Sequence, residues 1–311
     1  MVYVKDSASL RELCSNLENN SINEIAVDTE FIRKCTYYPS LCLIQVAFRK
    51  NRATNTPNKF IIDILSKNMD LSPFLSVLEN NKIKKIMHSV EQDVDALQFF
   101  SGIKINNIED TQIMAEFCGY RSSMGYATAV RAILNIDFDK SRSTQISNWE
   151  ERPLTAKQLE YAYSDVEYLV ELYDVLYKKI NDYGNYDLYR SEIRYLQKSR
   201  RPEQLAANSW KKLKSKIHGK CVSYVLLIKD LTSWRENKAI QSNKPRNQIL
   251  GDKSVRSIAR IKPRTLAELK SIYKNNQEIL NMKKSYKNEI IEIVSRFVCP
   301  DKFLEQVYYV N

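Results

Sequence analysis

EIAVDTEF (residues 24–31) is the first of three short apolar runs, and LCLIQVAF (41–48) and KFIIDIL (59–65) follow it. Each run is rich in β-branched residues, and polar residues separate it from the next, which is typical of strands joined by turns. The spacing therefore predicts three consecutive strands that pair antiparallel. We expect a sheet, rather than a bundle of helices, to organise the first part of the chain.

Helical and extended segments alternate after these strands. Helix-like periodicity at 72–80 and 90–101 flanks KIKKIMHS (82–89), which has the composition of a buried strand. The stretch at 141–155 lacks clear periodicity, and Thr155 at its end is a suitable N-cap for the long helix that follows. This alternation predicts an α/β domain with a mixed sheet.

Charge divides the chain into two parts. Residues 1–185 contain 21 Lys/Arg against 25 Asp/Glu (−4), whereas residues 186–311 contain 27 against 12 (+15). The composition changes near 200–206, where KSRRPEQLAA combines charge, a proline and a fresh helical start, and the chain after it is predicted to be helical. An acidic domain that holds cations and a basic domain attracted to a polyanion fit this division. A solvated basic surface without a partner is the alternative.

Composition argues against several classes of protein. Hydrophobic residues make up 43% of the chain and charged residues 27%, which is ordinary for a folded domain. No secretory signal or run of about 18 apolar residues is present, so we expect a cytoplasmic protein without membrane association. The six glycines form no phosphate-binding loop, which argues against a nucleotide cofactor, and cysteines and histidines form no zinc-binding pattern.

Two carboxylates mark the first predicted strand. Asp28 and Glu30 are two residues apart, so their side chains project from the same face of the strand and can share a metal ion. Charged groups at the end of a buried strand are costly unless they are paired or ligated. A pair of this kind is weak evidence alone, because many such pairs are solvated strand ends.

Helical periodicity selects two further carboxylates. At about 100° per residue, Asp93 falls on the apolar stripe of its segment, whereas Asp95 points nearly the opposite way. The same test puts Asp165 on the apolar stripe of the later helix, one turn after Tyr161. Tyr161 can reach the same neighbourhood as Asp165, or it can simply pack in the core.

Oxygen ligands favour hard divalent cations such as magnesium or manganese, whereas zinc prefers nitrogen or sulfur. Two such ions about 3.5 to 4 Å apart can activate a water and stabilise the leaving oxygen in phosphodiester hydrolysis. The carboxylates of Asp28, Glu30, Asp93 and Asp165 therefore indicate metal-dependent phosphodiester chemistry.

Three segments resemble the exonuclease motifs of DEDD nucleases, namely VDTEF (27–31), HSVEQD (88–93) and YAYSD (161–165). The tyrosine four residues before the last aspartate resembles the subtype of this group with a tyrosine at that place. Further segments are similar to ribonuclease D: YYPSLCLIQ, EDTQIMA, SMGYATAV and SNWEERPLTAKQLEYAYSDVEYL. In the basic part, LTSWRENKAIQSNKPRNQIL and ARIKPRTLAELKSI resemble an HRDC domain, a small helical nucleic-acid-binding module.

The resemblance implies a fold and a division into domains. A ribonuclease H-like DEDD exonuclease domain with a mixed sheet is expected at residues 1–200. An all-α HRDC domain is expected at 205–285, followed by a helical tail of unknown role at 286–311. The chain has room for only one such module, whereas ribonuclease D can carry two.

The resemblance also implies roles for individual residues. Asp28, Glu30, Asp93 and Asp165 are expected to hold two divalent ions, Mg²⁺ or Mn²⁺, with Asp28 between them. Tyr161 is expected to orient the attacking water. These five residues form the expected catalytic set.

Other residues in these segments are candidates for contact with the substrate. Phe31, Gln45 and His88 are expected as possible substrate contacts, and Phe31 could stack on the terminal base. Asp110 and Trp149 also lie in segments that resemble the family. Each of the five could instead be structural, since an aromatic at a strand end, for example, is more often part of the core.

The function implied is that of a 3′–5′ exoribonuclease that trims the 3′ ends of tRNA precursors and other small structured RNAs. RNA with a free 3′ end, above all tRNA precursors, is the expected partner, and the sequence does not tell which proteins, if any, bind this chain. A DNA 3′–5′ exonuclease of the proofreading or Werner type is an alternative, because one metal site can hydrolyse either phosphodiester. A catalytically inactive RNA-binding protein is another alternative, which the loss of any carboxylate would favour.

Overall fold

The computed structural model describes most of the chain, namely residues 1–19, 21–50, 57–138, 147–199, 202–213, 221–272 and 281–297. The chain divides into two compact units. The sheet unit consists of residues 1–34 and 39–197. The helical unit consists of residues 35–38 and the chain from residue 198 onward.

A mixed sheet organises the sheet unit. In the described part of the chain it has six strands: β1 Val2–Val4, β2 Glu24–Ile32, β3 Ser40–Phe48, β4 Asn58–Asp63, β5 Lys84–Met87 and β6 Ile108–Asp110. Their order across the sheet is β1-β4-β3-β2-β5-β6. β2, β3 and β4 pair antiparallel as the sequence predicts, and the other neighbouring pairs are parallel. The predicted mixed sheet is confirmed.

Helices cover both faces of this sheet. They are α1 Ser7–Asn19, α2 Ser72–Glu79, α3 Glu91–Ser101, α4 Thr111–Phe117, α5 Tyr126–Ala129, α6 Ala156–Ser164, α7 Leu169–Asp182 and α8 Tyr186–Ser199. Side chains alternate along a strand, so each strand feeds two separate cores. Val27 and Val46 pack in one core with side chains of α1, α2 and α3. Ala26 and Ala47 pack in the other with side chains of α4 and α7.

The helix predicted after residue 155 is interrupted. Thr155 caps α6 as the sequence predicts: its hydroxyl accepts from the Gln158 amide at 3.2 Å, and the Gln158 side chain accepts from the Thr155 amide at 3.0 Å. The expectation of one long helix is wrong, because α6 ends at Ser164 and α7 begins at Leu169. At the break, the Tyr168 amide donates to the Tyr126 hydroxyl at 3.0 Å, a side chain from elsewhere in the sequence. Periodicity along the chain cannot reveal such a partner.

The segment that leads into α6 is fixed to β4 by an arginine. Arg152 donates two hydrogen bonds to the Asp63 carboxylate, at 2.7 and 2.6 Å, and one to the Trp149 carbonyl at 2.7 Å. Burial opposes ionisation of Asp63, but the hydrogen bonds from Arg152 and Tyr3 hold its pKa below the usual value. Two parallel hydrogen bonds between a guanidinium and a carboxylate fix the orientation of both groups. The segment before α6 is therefore held in one position against β4.

The described part of the helical unit contains helices and no strands, as predicted. Its elements are α9 Pro202–Asn208, a 3-10 turn Ser209–Leu213, α10 Val222–Ser242, α11 Arg246–Ile249, α12 Asp252–Ile261, α13 Leu266–Ser271 and α14 Lys284–Ser295. Leu231 of α10 and Ile258 of α12 pack in its core together with Ile290 and Val294 of α14. The buried Arg235 donates to the Leu250 carbonyl at 2.9 Å and so joins α10 to the start of α12.

The predicted boundary at 285/286 lies within α14, whose apolar residues belong to the core of the helical unit. Residues 298–311 of the predicted tail lie outside the described residues. None of the helices in the described ranges is long and apolar enough to cross a membrane.

Candidate active site

A pocket of about 770 Å³ opens at the end of β2. It is lined by all five residues of the expected catalytic set, Asp28, Glu30, Asp93, Tyr161 and Asp165. These residues come from β2, the first turn of α3 and the end of α6. Residues separated by more than 130 positions in the sequence therefore meet at one place.

β2 can gather these groups because its pairing changes along its length. β5 pairs only with Glu24–Ala26, so from Asp28 onward β2 has no paired strand on that side among the described residues. The first turn of α3 carries Asp93 to this edge, where its carboxylate accepts a hydrogen bond from the Thr29 hydroxyl. On the other side, the pairing with β3 shifts register between Glu30 and Phe31. Such bulges change the direction of side chains and are frequent beside active sites.

Asp28, Glu30 and Asp165 form a carboxylate cluster. One oxygen of each lies within 4.8 Å of the others, and Glu30 and Asp165 are buried. Like charges at this separation repel strongly where water is scarce, because the local dielectric is low. A hard divalent cation is the ligand that oxygen donors of this kind prefer, and it would remove the repulsion. The donor set therefore fits magnesium or manganese.

Asp93 is adjacent to this cluster but is not part of it. Its carboxylate is buried, and burial followed by the charge of Asp28 raises its pKa well above the usual value. The hydrogen bond from Thr29 acts in the opposite direction but does not outweigh them. Asp28 is therefore close to Glu30 and Asp165 in the cluster, and its charge also acts on Asp93.

Tyr161 is the buried phenol of the pocket. Its ring lies 6.0 Å from that of Trp149, and it is 8% exposed. Burial, followed by the charges of Glu30 and Asp28, raises its pKa above the ordinary value. The hydroxyl is therefore protonated at neutral pH and can donate a hydrogen bond, but it cannot act there as a charged base.

The three predicted substrate contacts occupy different environments. Phe31 lines the pocket and also packs against the core on one face of the sheet. His88 lines it too, with Nδ1 2.9 Å from the Thr111 hydroxyl and Nε2 2.9 Å from the Met124 carbonyl. Gln45 is fully buried and does not line the pocket, so its position does not fit the predicted direct contact with substrate.

Asp110 and Trp149 have structural roles. The Asp110 carboxylate accepts hydrogen bonds from four backbone amides, which cap α4 and fix the turn before α3. Trp149 is 1% exposed and packs against Tyr161 and its neighbours. Asp110 is thus an N-cap, and Trp149 supports the helix that carries the catalytic candidates.

Two residues that the sequence reasoning missed contribute to the site. Thr29 holds Asp93, although strand alternation alone directs Thr29 away from Asp28 and Glu30. Tyr126 lines the pocket, and its hydroxyl accepts from the Tyr168 amide at the break between α6 and α7. The signal available for Tyr126 was its position in SMGYATAV, a segment similar to the family.

Comparison with known proteins agrees with this arrangement. Residues 1–181 match the family model described as 3′-5′ exonuclease, and residues 226–294 match the HRDC domain. Ribonuclease D of Bartonella henselae is 32% identical over 277 residues, which are 89% of this chain and 65% of the relative. Ribonuclease D of Nitrobacter hamburgensis is 30% identical over 304 residues, covering 97% of this chain and 75% of the relative. This chain belongs to the ribonuclease D family.

The chain is shorter than these ribonuclease D relatives, since it spans 65% and 75% of their lengths. The crystal structure of Escherichia coli RNase D has a TM-score of 0.73 and 28% identity to this chain. It covers 95% of this chain, and this chain covers 74% of it. The expected fold, an exonuclease domain followed by a helical HRDC domain, is therefore confirmed.

The raised pKa of Asp93 predicts how the stability of the metal-free protein depends on pH. Between the ordinary aspartate pKa of about 4 and the raised value, the folded protein holds a proton that the unfolded chain has released. The contribution of Asp93 to stability in EDTA therefore falls as the pH rises through this range. Asp93→Asn removes this loss, so the stability of the variant relative to the parent increases with pH.

Urea denaturation in EDTA at a series of pH values measures this difference. Asp95→Asn, a change on the same helix outside the pocket, is the control. A difference between Asp93→Asn and the parent that stays constant from about pH 4 to pH 7 contradicts the pKa assignment.

Proposed function

We propose that this protein is a metal-dependent 3′–5′ exoribonuclease that removes nucleotides from the 3′ ends of tRNA precursors and other small structured RNAs. The observation that carries the proposal is the convergence of Asp28, Glu30 and Asp165 within 4.8 Å, beside Asp93 and Tyr161, in an open pocket. Membership of the ribonuclease D family supports the reaction. The Escherichia coli enzyme is described as an exoribonuclease involved in structured RNA processing, which supports the class of substrate.

Two divalent ions are proposed for this pocket. Asp28, Glu30 and Asp165 would hold one, and Asp28 together with Asp93 would hold the other, because Asp28 interacts with both groups. Mg²⁺ or Mn²⁺ bound there supplies Lewis acidity for activating water and for stabilising the leaving oxygen. The four carboxylates provide oxygen ligands for both ions.

Tyr161 is proposed to position the attacking water. Its hydroxyl remains protonated at neutral pH, since burial and the neighbouring carboxylates raise its pKa. It can therefore donate a hydrogen bond and hold a water in line with the scissile phosphodiester. Packing against Trp149 restricts the ring and so restricts the hydroxyl.

The RNA is proposed to be anchored by the helical unit. A second pocket, of about 740 Å³, lies between the start of α10 and α12. Four of its lining residues are cationic and none is acidic: Lys253, Arg256, Arg260 and Lys262. Tyr224 adds an aromatic ring to the same pocket, and bases stack on such rings. Cations beside an aromatic ring suit a single-stranded or looped segment of RNA.

The proposed catalytic and RNA-binding roles fall in two different parts of the chain. We propose that residues 1–200 form the exonuclease domain and that the HRDC domain begins near residue 205. Its core includes α14, so the segment proposed as a separate tail from residue 286 starts inside a helix of that core.

A single assay tests the proposed reaction against its alternatives. Matched RNA and DNA strands, labelled at the 3′ or at the 5′ end, are incubated with the protein in Mg²⁺, Mn²⁺ or EDTA. Immediate release of a labelled mononucleotide from 3′-labelled RNA, stopped by EDTA, is the expected result. Preference for DNA would favour the DNA exonuclease, and binding without cleavage in either metal would favour an inactive RNA-binding protein.

Asp28→Asn and Asp165→Asn are each expected to reduce hydrolysis by at least about 10³-fold while the fold is retained, because each removes a metal-binding charge. Initial rates with 5′-labelled RNA and a circular dichroism spectrum measure the two effects. Asp95→Asn should remain active. Turnover near the parental rate in either pocket variant would overturn the assignment of the site.

Tyr161→Phe is expected to lower turnover about 10- to 100-fold with little change in RNA affinity, because only the hydroxyl is removed. Single-turnover rates and RNA binding measured in Ca²⁺ separate the two effects. Equal turnover in the variant and the parent would mean that Tyr161 is only a core residue.

Arg260→Glu is expected to weaken binding of structured RNA and to reduce its dependence on salt. Each lost phosphate contact lowers the slope of log affinity against log salt by roughly 0.7 to 0.9. Fluorescence anisotropy at several salt concentrations gives both quantities. Lys284→Glu makes the same change of charge at an exposed position outside the pocket, and an equal effect of both variants would argue against a specific site.

A further inference from the structure

Gln45 is a buried amide that has no hydrogen-bond partner among the described residues. It is 0% exposed, and neither its amide nitrogen nor its oxygen has a partner within the described part of the protein. Buried side-chain amides in folded proteins are nearly always hydrogen-bonded, because an unmade bond leaves the full cost of removing the group from water. An apolar residue of similar size would avoid this cost. The presence of an amide at this position therefore indicates that it has a hydrogen-bonding role in another state of the protein.

The strand register puts Gln45 directly beside Asp28. The two residues are paired across β2 and β3, and paired residues on antiparallel strands have their side chains on one face, with Cβ atoms about 4.5 to 5.5 Å apart. The flanking positions on β3, Leu43 and Ala47, are apolar, as is Ile61, its partner on β4. Asp28 lines the pocket whereas Gln45 does not, so Gln45 lies beside Asp28 on the same face of the sheet but outside the pocket.

We infer that Gln45 is a positioning residue for Asp28: its side-chain amide donates a hydrogen bond to the Asp28 carboxylate when that carboxylate binds a divalent cation. This inference rests on the proposed metal-dependent function. Carboxylate ligands of metals are generally held by hydrogen bonds from neighbouring groups, and loss of such a partner typically costs about 10- to 100-fold in metal affinity. Gln45 would thus fix which oxygen of Asp28 faces the cation.

This role predicts opposite effects on stability and on metal binding. Gln45→Leu removes the unsatisfied amide, so the metal-free variant should be as stable as the parent or more stable. Mn²⁺ affinity should fall about 10- to 100-fold, because the Asp28 carboxylate loses the hydrogen bond that Gln45 donates to it. A residue that only fills the core would instead change stability and leave Mn²⁺ affinity unaltered.

The experiment uses the full chain and two readouts. Urea denaturation in EDTA measures stability, and electron paramagnetic resonance of free Mn²⁺ measures affinity without reference to activity. Gln45→Met, an unbranched apolar side chain of similar length, is measured in parallel in case leucine does not fit the strand. The metal concentration that gives half-maximal RNA hydrolysis should rise in both variants.

Tyr173→Phe is the matched control. The Tyr173 hydroxyl is also buried without a partner in the described residues, but it does not line the pocket. Its removal should leave Mn²⁺ affinity unchanged, which separates the effect of deleting a buried polar group from the effect on Asp28.

Parental Mn²⁺ affinity in Gln45→Leu and Gln45→Met would overturn the inference. If Asp28→Asn loses Mn²⁺ in the same experiment, the proposed function stands and only the role of Gln45 fails. If the parent itself binds no Mn²⁺, both the function and the inference fail.

Discussion

Mutual repulsion among closely spaced carboxylates is the constraint that the end of β2 must satisfy. Asp28, Glu30 and Asp165 meet within 4.8 Å, and Asp93 is held at a raised pKa by burial and by Asp28. Such an arrangement opposes folding until a cation is bound, so the surrounding structure must hold it in place. Binding of a cation to the folded site stabilises the folded state, which makes metal binding and folding thermodynamically linked.

The scaffold supplies this restraint through contacts on several sides of the pocket. The Thr29 hydroxyl holds Asp93 at the open edge of β2. A capping box at Thr155 starts α6, and Arg152 fixes the segment before it through Asp63, so Tyr161 and Asp165 are carried on a helix with a defined origin. These contacts hold the carboxylates of the site at the end of β2. None of them requires attraction between the site carboxylates themselves.

Local periodicity predicted the three antiparallel strands and which acids of β2 and α3 share a face with the site. Alternation along β2 paired Asp28 with Glu30, and the helical repeat separated Asp93 from Asp95, because both rules depend only on neighbouring residues. It failed where the decisive partner is distant in sequence. At the break after α6, Tyr168 donates a hydrogen bond to Tyr126. The burial of Gln45 arises from the strands and helices around it. The local pattern contains neither partner.

The charge distribution imposes a second requirement on any polyanionic substrate. The sheet unit is acidic overall, and its pocket repels phosphate until cations are bound, whereas the chain after residue 185 carries an excess of +15. Under the proposed function, attraction of RNA and cleavage of RNA depend on different charges. Salt screens the basic charges that attract RNA, because such binding depends on counterion release. A chelator removes the bound cations, because hydrolysis depends on their coordination. The proposed function therefore implies that RNA binding persists in a chelator that stops hydrolysis, and that short strands are still hydrolysed at salt concentrations that weaken RNA binding.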